Sequence, residues 1–343
     1  MRARVSDLVA RLLAWADALQ RRNGLFGFPY AVVKKYGEDA GGRQAALITY
    51  YGFLSIFPMM LVAVSVLSKV LVGDPSLREK LIEAAVPPDL QHTVENAVTT
   101  MPSAGVPFVV GLVGLLFAAT GVVSSAYETL NHLAGVPVRS RFGFLPRYVR
   151  VLLMLVVVLA GGLGAATLTV ASEALPNVTG LQRVAGTVGT AVVVFVVLVV
   201  AAKLLVARPV PLRASWPAAV LGAIAVAAVL AVGTRLLAIL VTRSGPVYGG
   251  FATVVGIFAL LNLVNQALVY AAEVAVVRQS RLWPRALDTS RPTCADVRAL
   301  SRLATEQERL AAERIEVQLN ADSSPGGGQT GDTTGSPPPR AAP

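Results

Sequence analysis

The sequence predicts an all-α, polytopic membrane protein: six transmembrane helices with an external helical hairpin between helices 1 and 2. Composition gives the first reason. Of 343 residues 54% are apolar and only 15% charged, against roughly 25% charged in ordinary globular chains, and the mean hydropathy is +0.62. The second is that the apolar residues gather into runs, each long enough to carry a helix across a hydrocarbon core of about 30 Å. The third is the way Lys and Arg alternate between the segments that join those runs.

Residues 1–43 form a basic N-terminal segment with eight Lys/Arg and four acids. Val5, Leu8, Val9, Leu12, Ala16 and Leu19 recur at helical spacing opposite Arg4, Arg11 and Arg22. That pattern suits a helix lying in the membrane interface or packed on its own protein. The membrane domain covers 44–285, with spans at about 45–72, 106–125, 149–172, 186–207, 217–241 and 250–277.

Lys/Arg number eight before span 1 and two in 74–105, then four in 127–150 and one in 173–187. Three follow in 203–217 and one in 242–249, before Arg278, Arg281 and Arg285 close the series. Rich and poor segments alternate throughout, so the positive-inside rule puts both termini in the cytoplasm. Between spans 1 and 2, Asp74-Pro75 and Asp89 start two short helices separated by Pro87-Pro88, and five acids against two bases keep this hairpin outside. Residues 286–320 read as a cytoplasmic charged helix, and 321–343, rich in Gly, Pro, Ser and Thr, as a disordered tail.

Polar residues within the spans are the main functional signal, because each is costly in hydrocarbon. In span 1 Tyr51, Ser55, Pro58 and Ser65 fall within an arc of about 80° at 100° per residue, and Pro58 removes one backbone donor and kinks the helix. Span 6 carries Asn262, Asn265, Gln266 and Glu273 on one face. Span 2 ends in Thr120, Ser124, Tyr127, Glu128 and Asn131; Glu128 and Asn131 read as a polar helix end emerging into water. Arg235, inside span 5, has three options: to snorkel to the outer headgroups, to pair with a buried acid, or to hold an anionic headgroup. Substrate-path candidates are therefore Tyr51, Ser55, Pro58, Thr120, Ser124, Arg235, Asn262, Gln266 and Glu273. The competing reading of the amides is interhelical glue, at roughly 0.6–2 kcal/mol per hydrogen bond. Gly161-x-x-x-Ala165 in span 3 is a small-xxx-small pattern suited to close helix approach.

Several chemistries are excluded. His92, His132 and Cys294 are the whole complement of His and Cys, which supports neither a disulfide framework nor a metal site. No phosphate-binding GxxxxGK[ST], no HExxH and no GxSxG occurs. The expectation is a protein that is not an enzyme, with no cofactor, no metal and no nucleic-acid partner. The net charge of +10 points instead to anionic membrane lipids.

The run Ala45-Ala46-Leu47-Ile48-Thr49-Tyr50-Tyr51-Gly52-Phe53-Leu54-Ser55-Ile56-Phe57-Pro58 resembles the signature AAxLxYYxxLSLFP of the YihY/BrkB family of bacterial inner-membrane proteins. The stretch Ser124–Asn131 and the last span, opened by Tyr248-Gly249-Gly250-Phe251, are similar to that family too. Ala271-Ala272-Glu273 stands where relatives carry a Gly-Ala-Glu-like motif, which carries Glu273 over as a candidate. The resemblance covers about residues 25–285; the N-terminal basic helix and the chain after 290 look like additions. It implies a flippase-like translocator of an envelope lipid or glycolipid, or else a non-transporting envelope-integrity scaffold. The family's old ribonuclease label finds no cluster of His and Asp here to support it.

Overall fold

A computed structural model describes residues 17–18, 20, 24–70, 96, 105–173, 179–248, 250–287 and 292–317. The hairpin expected between spans 1 and 2, most of the interfacial helix read over 5–19 and the tail 321–343 lie outside these residues. The described residues form α-helices and no strand, as an apolar, bilayer-spanning chain must if its backbone polar groups are to pair within each segment. In chain order they are α1 (Gly24–Glu38), α2 (Gly41–Leu54), α3 (Ile56–Val70), α4 (Gly105–Leu133), α5 (Phe144–Glu173), α6 (Thr179–Leu205), α7 (Leu212–Tyr248), α8 (Gly250–Ser280) and α9 (Cys294–Glu306).

Six helical stretches among them are long and apolar enough to span: Gly41–Val62, Gly105–Leu133, Phe144–Gly162, Val188–Leu205, Ser215–Leu236 and Gly250–Ser280. Several helices run past the apolar runs that predicted them, because polar helix ends continue beyond the hydrocarbon. Span 1 is broken at Ser55 into α2 and α3. The cause is local: Pro58 has no N–H to offer the carbonyl of Leu54, so the ladder is interrupted there.

Each span packs on its neighbours in sequence, and α8 returns to α2, so the six form a closed ring. The faces that meet are cut by small residues. A Cβ on Gly121 of α4 would lie 2.4 Å from the Tyr51 ring, one on Gly114 3.2 Å from Pro58, and one on Gly161 of α5 2.9 Å from Val197 of α6. Gly121→Ala is therefore expected to displace Tyr51 and destabilise the protein by about 1–3 kcal/mol, read as a lower thermal midpoint in detergent.

At the end bearing the 134–143 and 206–211 loops, Val123, Tyr127, Val151, Met154, Leu155 and Leu205 form one core. Ala45, Leu133, Val269 and Val276 form a second, and Ala31, Val32, Val277, Leu282 and Ala299 a third under α1 and α9. Towards the opposite end Val64, Ser65, Ala252 and the glycines 111 and 256 are buried among the described residues.

Candidate functional site

The last turn of α4 lies across the loop end of the ring. Asn131, fully buried, donates to the Leu205 carbonyl (2.8 Å) and accepts from the Ala207 N–H (2.8 Å), while Leu133 reaches the α8 residues Val269 and Val276. This corrects the reading of Asn131 as a helix end in water. Its amide offers a donor and an acceptor to the two backbone groups left open where α6 stops.

Glu273 sits beside this closure, with no exposed surface. α8 brings it to 3.0 Å from Lys35 Nζ of α1. Lys35 also pairs with Asp39 and donates to the Leu133 carbonyl (3.1 Å), so one ammonium serves two buried carboxylates and the end of α4. The i, i+4 spacing of Lys35 and Asp39 puts both on one face of α1, and Tyr36 stacks on Tyr270 of α8 at 3.9 Å to fix the helix pair.

From Asp39 the network continues outwards. Its carbonyl lies 3.1 Å from His132 Nε2, and His132 Nδ1 meets Glu306 of α9 at 2.8 Å. Arg141 joins Glu306 (2.7 Å) to Glu128 (2.8 Å), which Arg147 also contacts (2.7 Å). A second hub holds α9 to α1. Arg285, only 1% exposed, donates to Asp296 (2.6 Å) and Glu38 (2.7 Å), and Lys34 reaches Asp296 at 2.9 Å. Thr293 and Asp296 cap α9 reciprocally. Burial by itself pushes the Asp296 carboxyl up. The Ala286 N–H, the Arg285 guanidinium and Thr293 outweigh it and hold Asp296 well below the usual carboxylate range. For Arg285 burial works downwards, and Asp296 and Glu38 reverse it to a net rise.

The other sequence candidates are distributed along the ring. Asn265 donates to Thr49 Oγ1 (3.0 Å), tying α8 to α2. Asn262 and Gln266 are half-buried on the same helix, as are Thr120 and Ser124 on α4. Tyr51 and Pro58 face the glycines of α4, and Ser55 donates to the Gly52 carbonyl (2.6 Å). Arg235 is exposed. Two cavities, of about 420 and about 10 Å³, lie at the loop end, and none of the nine candidates lines either.

Sequence reasoning missed Lys35, Asp39, Arg285, Asp296 and Glu306. Lys35 and Arg285 carry the same signal as any positive-inside base, and their partners lie far away in the chain. The 286–320 segment was expected as one charged helix; the helix observed is Cys294–Glu306, and it docks through the partners just named.

A ring of six apolar helices with ion pairs gathered at one end defines a multi-pass helical membrane protein. The chain belongs to the family described as Virulence factor BrkB, whose profile matches residues 32–293. An uncharacterized protein of Dickeya dadantii (strain 3937) is similar, 34% identical over 88 residues, which are 24% of this chain and 26% of that protein. The match thus spans about a quarter of the relative's length. No solved structure matches.

Proposed function

We propose that the protein is a translocator of an amphipathic or anionic envelope molecule in the bacterial inner membrane, with both termini cytoplasmic. The reading rests on one observation: α4 closes the ring at the loop end. Alternating access needs a route blocked on one side at a time, and a ring closed at one end suits that need. Glu273 then belongs to the closure, and the half-buried Asn262 and Gln266 of α8 and Thr120 and Ser124 of α4 are the groups left for a passing headgroup. Arg235, exposed, is an anchor at the far side.

The test is a reconstituted assay in which fluorescent phosphatidylglycerol moves between leaflets of proteoliposomes and is bleached from outside. Protein-dependent exchange is expected, lowered about tenfold or more when Asn262 and Gln266 are both replaced by Ala, with the thermal midpoint little changed. Exchange no faster than in protein-free vesicles counts against this reading.

A second reading, a non-transporting scaffold, is favoured by the Asn265–Thr49 bond and the Lys35–Glu273 pair, which join helices. It expects the double Ala variant to lose stability and no exchange to occur.

A further inference from the structure

The larger cavity, about 420 Å³, is lined by Pro137, Arg139 and Ser140 of the α4–α5 connection, Ala207 and Arg208 of the α6–α7 connection, and Ala311 after α9. All of it lies within a few residues of helix ends, the height at which lipid phosphates sit if the helices span as read. Its volume is that of a small-molecule site.

Two features set the cavity apart, although Arg139, Ser140 and Arg208 are themselves exposed. The first is that its walls are fixed from behind. Buried Asn131 holds Leu205 and Ala207 at 2.8 Å each, immediately before Arg208, and Pro209 and Pro211 restrict the backbone after it. Across the cavity Arg139 is oriented by Glu308 (2.7 Å) and the Ala311 carbonyl (2.8 Å), and its own N–H is donated to the Glu308 carbonyl (3.1 Å). The second feature is unbalanced charge. Arg139 has a carboxylate, whereas Arg208 has no hydrogen bond or ion pair among the described residues. Behind it Arg302 donates to the Ala134 carbonyl (2.7 Å). Burial, and after it the charge of Arg208, hold the Arg302 guanidinium below its ordinary range. Two guanidinium charges are thus set close together.

We propose that this cavity binds a phosphate-bearing anion, with Arg208 as its main contact and the Arg139 guanidinium and Ser140 hydroxyl beside it. Guanidinium is suited to phosphate because its planar fork donates two parallel hydrogen bonds. Phosphate of this kind has two sources, an anionic phospholipid headgroup of the adjoining leaflet or a soluble phosphate compound. The proposal does not depend on whether the protein translocates anything.

The experiment uses the full chain in nanodiscs and reads its thermal midpoint. In one arm phosphatidylglycerol progressively replaces phosphatidylcholine; in the other inorganic phosphate is added to pure phosphatidylcholine discs. Wild type is expected to gain stability saturably, because an anion that binds only the folded state stabilises it. Gain with phosphatidylglycerol alone assigns a lipid headgroup; gain with inorganic phosphate as well assigns a free phosphate site. In Arg208→Ala and Arg208→Gln half-saturation should require about tenfold more anion. Arg213→Ala, an equal loss of charge at a neighbouring position that is exposed like Arg208 but does not line the cavity, should leave it within about twofold. The proposal is overturned if neither anion stabilises wild type, or if the Arg208 variants and Arg213→Ala respond alike.

Discussion

Lys35→Met is expected to lower stability by about 3–5 kcal/mol, the largest loss from any single substitution considered. The substitution leaves Glu273 and Asp39 buried with no cation within ion-pair distance among the described residues, and uncompensated buried charge carries a penalty of that size. The intact pair contributes less than this loss, because taking the ammonium and carboxylates out of water has already offset much of their attraction. Two accompanying variants separate these terms. Glu273→Gln alone removes one of the two carboxylates that share Lys35 and should cost clearly less than Lys35→Met. Lys35→Arg keeps the charge but asks a planar fork to occupy the place of a compact ammonium, so partial recovery is expected. Thermal unfolding in a fixed detergent, with spectroscopic helicity as the signal, checks all three.

Asp296→Asn is expected to detach α9 from α1, at a cost of about 2–4 kcal/mol. Asp296 accepts from Arg285, Lys34, the Ala286 N–H and Thr293, and losing its charge leaves the fully buried Arg285 with only Glu38. The pH dependence follows from the depressed native pKa. The unfolded carboxyl titrates near its ordinary 3.8, so Asp296 contributes fully above that value. Its contribution is lost as pH falls through the lower native value. Wild type should therefore lose the docked arm only in strong acid, whereas Asp296→Asn should be loosely docked at neutral pH. Hydrogen exchange over 294–306 reads the difference directly, with the spans as an internal reference. Uniform protection of α9 in both proteins would contradict it.

How much of this was visible in the sequence depends on the range of the interaction. The spans were legible because hydropathy is local and a bilayer demands about 20 apolar residues in a row. The break in span 1 was legible because proline acts on the carbonyl four residues before it. The receiving of amides and a carboxylate inside the bundle followed from their cost in lipid, and Asn265 and Glu273 are so received. Identity of the partners was not legible. Lys35 lies 238 positions from Glu273 and Arg285 lies 247 from Glu38, and no spacing rule reaches that far. Arginines that the positive-inside count treats as interchangeable divide here into counter-ions such as Arg141 and Arg285 and, with no ion pair among the described residues, Arg208 of the proposed anion site. Asn131 was misjudged for the same reason: on its own helix it is one polar residue near an end, and only the arrival of α6 makes it a bracket. The family's match ends at residue 293, yet Asp296, Glu306 and Glu308 beyond it complete the closure.

The buried polar groups Asn131, Asn265 and Glu273 are held by other parts of the same chain, with Glu273 and Lys35 as the joint at the closed end. A double-mutant cycle over Lys35→Met and Glu273→Gln tests it most directly. Coupled residues should give a pair variant more stable than the sum of the single losses implies, by about 2 kcal/mol or more. Strictly additive losses would place the two side chains in separate surroundings and contradict it.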